Sequence, residues 1–314
     1  MSPAPQILAL DDAAIDTAAV LIRAGQPVAV PTETVYGLAA DATSGEAVAR
    51  IYAAKGRPSF NPLIVHVASL SEAEALAEFS PVARRLADKF WPGPLTLVLP
   101  LCDGSPVAGL VTAGLSTLAL RMPAHPAMRA LITASGRPLA APSANASGKI
   151  SATRAEHVAA SLGDRIPLIL DGGPTDLGLE STIVAVGEDR LRLLRPGPID
   201  AGALAVASGL PVSTAHDGAI EAPGQLSSHY APEKPLRLDA VERRDGEWLI
   251  GFGAIAGDDT LSAAGDLVEA AARLFDALHR TENVAASGIA VAPIPREGLG
   301  IAINDRLQRA AAPR

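Results

Sequence analysis

The chain has 314 residues, one cysteine and a formal net charge of −8, with 48% hydrophobic but only 3% aromatic residues. One cysteine excludes an intrachain disulfide framework and a Cys-rich zinc site, and the negative balance argues against broad binding to nucleic acid, which needs Lys and Arg on phosphates. No uncharged apolar stretch reaches the roughly 18 residues of a membrane helix, and MSPAPQILALDD lacks a basic start before an apolar run, so the expectation is a soluble, cytoplasmic protein.

The length allows two domains at roughly 150 residues each. The scarcity of aromatics means a core of Ala, Val, Leu and Ile. From the N-terminus, DDAAIDTAAVLIRAG has helical periodicity closed by Gly25, and PVAVPTET reads as a short buried strand. SGEAVARIYAAKG is a helix with Ser44 as N-cap, PLIVHVA a strand, PVARRLADKF a helix, and PLTLVLPL and STLALRM strands. HPAMRALITASG is a helix, PLAAPSA a buried extended segment, RAEHVAASLG a helix and PLILDGG a strand. STIVAVGEDRLRLLRPG predicts a hairpin turning at Gly187, Glu188 and Asp189. Hairpins among helical crossovers predict a mixed sheet.

After about residue 205 the periodicity dissolves into an Ala-, Gly-, Ser- and Pro-rich stretch, taken as a linker. A second alternating block follows: LRLDAV, WLIGFGA, the helix AGDLVEAAARLFDALHR, the strand GIAVAPIP and the helix GLGIAINDRLQRAAA. Residues 1–213 hold 16 basic and 19 acidic side chains, and 214–314 hold 10 and 15, so any cationic site must be local. Cys102 follows an apolar run with no motif around it and reads as a small core or loop residue.

Several segments carry chemistry. In KGRPSFNPLIVH, Lys55 and Arg57 follow a helix whose last turn also holds Arg50, and no acid occurs between Glu46 and Glu72. Pro58 fixes its own φ and biases Arg57 away from helix, so the loop is restricted in advance. Preorganised cations suit a polyphosphate, with arginine adding a bidentate fork. The same residues also fit a solvated helix end whose dipole favours cations. His66 and Asn61 each have a plain alternative, a structural histidine in a strand and a turn before Pro62.

PTETVYGLAADA places Thr32, Glu33, Thr34 and Tyr36 just after a buried strand, where an open α/β sheet presents ligand groups. PSANASGKIS is not a Walker A loop, because Ser143 replaces the first glycine and Ile150 the magnesium-binding Ser/Thr. It offers hydroxyls, an amide and one cation to phosphate or sugar, or is an ordinary Ser/Gly loop. GFGAIAG has G-x-G-x-x-x-G spacing and does not open a helix, so it is not read as a dinucleotide site. The six histidines form no Ser-His-Asp, HExxH or metal-ligand pattern.

Taken together and in order, PTETVYGL, KGRP with NPLIVHV, FWPGPLT, LRMPAHP, APSANASG, GLESTIV and LRPGPI resemble the YrdC-like family of threonylcarbamoyl-AMP synthases over about residues 10–200. SSHYAP, GDLVEAAARLFDALHR and IPREGLGIAINDRL resemble its long form. Departures are small: Ala39 stands where the family often has Gly, and Ala152 where Pro is common. The resemblance implies a YrdC-like α/β domain with a twisted mixed sheet over 8–205, a linker or lid over 206–235, and a smaller Rossmann-like α/β domain over 236–314. It implies synthesis of an adenylate from L-threonine, bicarbonate and ATP, with Mg2+ carried on the ATP and no protein metal site. The product would serve tRNA modification, with a tRNA threonylcarbamoyl-transfer complex as partner. By resemblance, Thr34, His66, Arg121, Ala141 and Ser181 hold threonine. Arg57, Asn61, Thr117, Ser143, Ser151, Arg195 and Tyr230 hold the nucleotide, and Lys55 and Arg57 are the catalytic cations.

Two rivals remain at this point. An RNA-binding module would need a cationic, aromatic face. A carbamoyl-transfer domain of the hydrogenase-maturation type shares the core but carries Cys-rich fingers, which one cysteine cannot supply.

Overall fold

Helices begin where short polar side chains can accept the first free N–H groups. Asp11, Ser44, Ser80, Asp200 and Asp266 each do so at a helix start. The computed structural model describes residues 4–214, 221–225 and 228–313. In chain order its helices are α1 Asp12–Arg23, α2 Gly45–Lys55, α3 Leu70–Glu74, α4 Pro81–Phe90, α5 Gly109–Thr112, α6 Pro126–Ser135, α7 Ala155–Leu162, α8 Ala201–Ser208, α9 Leu267–Glu282 and α10 Leu299–Ala311.

The first sheet is built from β1 Gln6–Ala9, β2 Val28–Val30, β3 Gly37–Asp41, β4 Ile64–His66, β5 Leu95–Pro100, β6 Thr117–Arg121, β7 Leu139–Ala140, β8 Leu168–Asp171, β9 Thr182–Val186, β10 Leu191–Arg195 and β11 Val212–Ser213. The order across it is β1-β8-β2-β3-β7-β4-β6-β5-β9-β10-β11. Pairing is mixed: β4 lies parallel to β6 and antiparallel to β7, while β9 and β10 form the expected antiparallel hairpin. Two apolar clusters cover its helix-packed surfaces, one built around α2, α4 and α7 and one around α1 and α6.

The second sheet comprises β12 Leu236–Arg237, β13 Glu247–Gly251, β14 Asp259–Thr260 and β15 Gly288–Val291, all parallel in the order β12-β15-β13-β14. Side chains of α9 and α10 join one cluster with Ile250, Ile289 and Val291, whereas Leu249 and Ala290 point into a small cluster on the opposite face. The unit thus has the parallel sheet of a Rossmann-like block with both helices on one face. That helical layer also takes in Val35, Ile150, Leu179 and Tyr230, so the two units share a continuous apolar core. Polar links flank it: Arg154 donates to Asp276 at 2.9 Å, and the ring Nε2 of His279 lies 3.0 Å from the Ser151 carbonyl.

One expectation about the fold is corrected. The stretch read as linker from residue 206 begins with the end of α8 and strand β11, which pairs with β10 in the first sheet. The Gly-rich GFGAIAG serves close backbone packing, because a Cβ on Gly251 would lie 2.3 Å from the Ile255 carbonyl oxygen. Of the linker proper, residues 215–220 and 226–227 lie outside the described residues. No helix among those described is long and apolar enough to cross a membrane.

Candidate active site

Strand register brings the candidate residues together. β4 and β6 run parallel with His66 opposite Arg121, so both side chains emerge at the same end of the sheet. The β2–β3 connection delivers Thr34 to that end, and the loop after β7 delivers Ala141 and Ser143. Gly56 closes α2 in the left-handed region (φ 60°), which a β-carbon would strain, and turns the chain directly into Arg57.

These residues line one cavity of about 40 Å³, with Arg195, Ser181, Glu180 and the linker residues Gly224 and Tyr230. All five positions assigned to threonine lie on it: Thr34, His66, Arg121, Ala141 and Ser181. Of the nucleotide positions, Arg57, Ser143, Arg195 and Tyr230 do so. Asn61 is buried beneath Arg57, whose Nε donates to the Asn61 carbonyl, and both side-chain amide atoms of Asn61 lack a partner. Ser151 reaches the cavity only through Glu180, to which its hydroxyl donates at 2.5 Å. Thr117 is not brought in: it shares a face of β6 with Arg121 but stands four residues away, about 13 Å along a strand.

Lys55 corrects its expected role. Its ammonium does not line the cavity but donates to the carbonyls of Ser143 (2.5 Å) and Asn145, pinning the PSANASG loop. Burial, with Arg57 and Arg165 nearby, pushes its pKa well down.

The charge around the cavity is lopsided. Lys55, Arg57, Arg121, Arg195 and Arg306 are buried there, against the carboxylates of Glu33 and Glu180. Arg121 donates from Nη2 to Glu33 at 2.6 Å, from Nη1 to Thr34 Oγ1 at 3.0 Å and from Nε to the Gly93 carbonyl. Burial pushes the Glu33 carboxyl up, but Arg121 beside it more than offsets this and holds it below the ordinary value. Arg57 donates to the Asn61 and Pro62 carbonyls and Arg195 to Ser181. Among the described residues neither forms an ion pair, nor does Lys55. Burial lowers Arg57 to about 10, which leaves it cationic at neutral pH. Fixed, unneutralised cations in a water-poor pocket are what a polyphosphate requires.

Described residues of the linker pack against this site. Ala231 N–H donates to the Gly148 carbonyl at 2.8 Å, and Tyr230 takes a left-handed backbone (φ 61°), costly for a bulky side chain. A Cβ on Gly224 would meet Arg195 Cδ at 2.8 Å, so only glycine lets the chain pass this closely.

Burial also lowers His66, His157 and His229 to about 3, so all three are neutral at pH 7. An unfolded histidine titrates near 6.5. Between about 6.5 and 3 the unfolded chain therefore binds protons that the native chain refuses, and stability must fall as pH falls. Each such histidine contributes up to about 1.4 kcal/mol per pH unit. Denaturant midpoints measured at pH 7.5, 6 and 5 should decline steadily, in a range above most carboxylate titration. A midpoint constant from 7.5 to 5 would contradict the neutral assignment.

Two residues of the site were not singled out by sequence. Glu180 lay inside a motif without a role, whereas Glu33 was among the groups expected at the strand end but with no partner named. Arg306 had a usable signal: it occupies the buried stripe of α10 with Ile303, Leu307 and Ala310, where a charge demands a partner.

An open α/β sheet with a cation-lined cavity at its strand ends has the form of a small-molecule site suited to an anionic ligand. A family profile described as "Telomere recombination" matches residues 20–197, and one described as the threonylcarbamoyl-AMP synthase C-terminal domain matches 201–312. The threonylcarbamoyl-AMP synthase of Bacillus subtilis is 43% identical over 98% of this chain and 95% of its own length. That of Pyrococcus abyssi is 41% identical over 95% and 94%. The crystal structure of P. abyssi Sua5 complexed with L-threonine superposes with a TM-score of 0.89 at 39% identity, covering 98% of this chain and 97% of that one. The chain belongs to the threonylcarbamoyl-AMP synthase family.

Proposed function

We propose that the protein forms threonylcarbamoyl-AMP and pyrophosphate from L-threonine, bicarbonate and ATP in the cytoplasm, and that a tRNA-modifying transferase consumes the adenylate. The observation that carries this reading is the meeting of Thr34, His66, Arg121, Ala141 and Ser181 with Arg57 and Arg195 on one buried cavity.

The chemistry fits the residues present. Threonine's amine and bicarbonate combine with loss of water to an N-carboxylate, which is already an anionic nucleophile. Its oxygen bonds to the α-phosphorus as the bond to the β-phosphate oxygen breaks, and the electron pair leaves on pyrophosphate. No strong general base is needed. The barrier is the approach of two anions and the charge on the leaving group, work suited to Arg57, Arg195 and the magnesium that ATP carries. His66, neutral and with Nδ1 unpartnered, can accept a hydrogen bond from the amino acid without adding charge. The Arg121 guanidinium has two N–H groups beyond the three already committed, enough to meet the threonine carboxylate.

A cavity of about 40 Å³ is far smaller than ATP, so residues that line it, Gly224 and Tyr230 among them, must move for substrates to enter. Closed, it would keep water from a labile carbamate and acyl adenylate. The test is pyrophosphate release from ATP with threonine and bicarbonate each withheld in turn, and the nucleotide product identified by mass. Release that ignores threonine, or use of carbamoyl phosphate in place of threonine and bicarbonate, would overturn the reading.

A further inference from the structure

Arg306 is fully buried on α10, in the second unit, yet its guanidinium serves the first. Nε donates to Glu180 Oε2 at 2.7 Å, Nη2 to the Pro196 carbonyl at 3.0 Å and Nη1 to Asp305 at 2.6 Å. The guanidinium carbon stands 5.2 Å from the Tyr230 ring centroid. Glu180 lines the cavity and spends its other oxygen on Ser151. Its carboxylate thus lies between two buried arginines, Arg306 behind it and Arg195 on the cavity.

A buried carboxylate must find a cation or a proton. With Arg306 in place, Glu180 is satisfied from behind and Arg195 stays free of any carboxylate. Remove Arg306 and an arginine that shares the cavity wall with Glu180 remains: Arg195, the side chain that faces the phosphates in the reading above. We propose, resting on that reading, that Arg306 is a positioning residue for the nucleotide: it holds Glu180 away from Arg195 and so keeps a phosphate-binding cation unneutralised. The second unit would then set the charge of a site it does not line.

The experiment uses the full chain. Arg306→Met should raise the KM for Mg·ATP about 10- to 100-fold, the usual loss when an orienting partner is removed, with threonine affinity within about twofold. Arg306→Lys, which keeps the charge but not the fork, should fall between. In Arg306→Met/Glu180→Gln the stray carboxylate is gone, and the KM for ATP should return most of the way. A merely structural Arg306 would not be rescued by neutralising Glu180, so a double variant no better than Arg306→Met overturns the proposal, as does an unchanged KM for ATP. If Arg306→Met does not fold by thermal melt, the Lys variant and the double variant carry the same comparison. Calorimetric binding of Mg·ATP to all four proteins reports on Arg306 even if threonine-dependent turnover of the wild type fails, which separates this inference from the functional reading.

Discussion

Replacing Arg57 with alanine should lower threonine-dependent pyrophosphate release at least about 100-fold, the scale seen when a preorganised donor to a developing charge is lost. The side chain is suited to that role by its surroundings. Two of its five N–H groups are fixed by the carbonyls of Asn61 and Pro62, which aims the plane while leaving three donors for a ligand. Its charge is not cancelled by any carboxylate among the described residues, and burial leaves it cationic at neutral pH. Arg57→Lys should recover little, because the ammonium cannot keep both carbonyl bonds and still present a planar fork. Since the alanine variant strands the buried Pro62 carbonyl, while that of Asn61 still accepts from the Tyr52 hydroxyl, a thermal melt must accompany the assay. A folded Arg57→Ala protein with near-normal turnover would remove phosphate from the account of this loop.

Why some of this was legible and some not follows from the range of the interactions. Helix starts were readable because caps are local: Ser44 and the α2 periodicity sit within four residues of each other. The positions proposed for threonine were readable through motif matches, and the parallel pairing of β4 with β6 explains why His66 and Arg121, 55 positions apart, meet at one end of the sheet. Strand β1 was missed because it is four residues on a sheet edge, mostly exposed and without alternation. Helix α8, AGALAVAS, has no polar face to mark its period, so its sequence looked like the start of a linker.

The misplacement of Lys55 is instructive in a different way. Its acceptors, the carbonyls of Ser143 and Asn145, lie 88 and 90 residues downstream, and backbone carbonyls leave no trace in residue identity. A lysine next to an arginine proposed to bind phosphate looks like a second phosphate ligand. In the folded chain it holds the loop that bears Ser143 against α2. The Glu180–Arg306 pair spans 126 residues and two structural units, and its only trace in the sequence is an arginine in an apolar stripe.

Arg121→Ala should raise the threonine requirement far more than the ATP requirement, but the structure adds a complication that the experiment must remove. Arg121 is 4% exposed and paired at 2.6 Å with Glu33, itself 6% exposed. Deleting the arginine leaves a buried carboxylate unpaired, which costs about 3–5 kcal/mol of stability. A low activity in that variant alone would therefore say little. In Glu33→Gln/Arg121→Ala the orphan charge is gone and most of the stability should return, while the donors proposed for the threonine carboxylate are still missing. A hydrogen bond to a charged group is worth about 1.5–3 kcal/mol, so the double variant should need about 10- to 100-fold more threonine at half-saturation. Its KM for ATP should stay within about threefold of the wild type, because Arg57 and Arg195 are untouched. If both substrates are affected alike, or if the double variant binds threonine normally, Arg121 serves only to neutralise Glu33 and to hold the turn at Gly93, and the amino acid's carboxylate is met elsewhere.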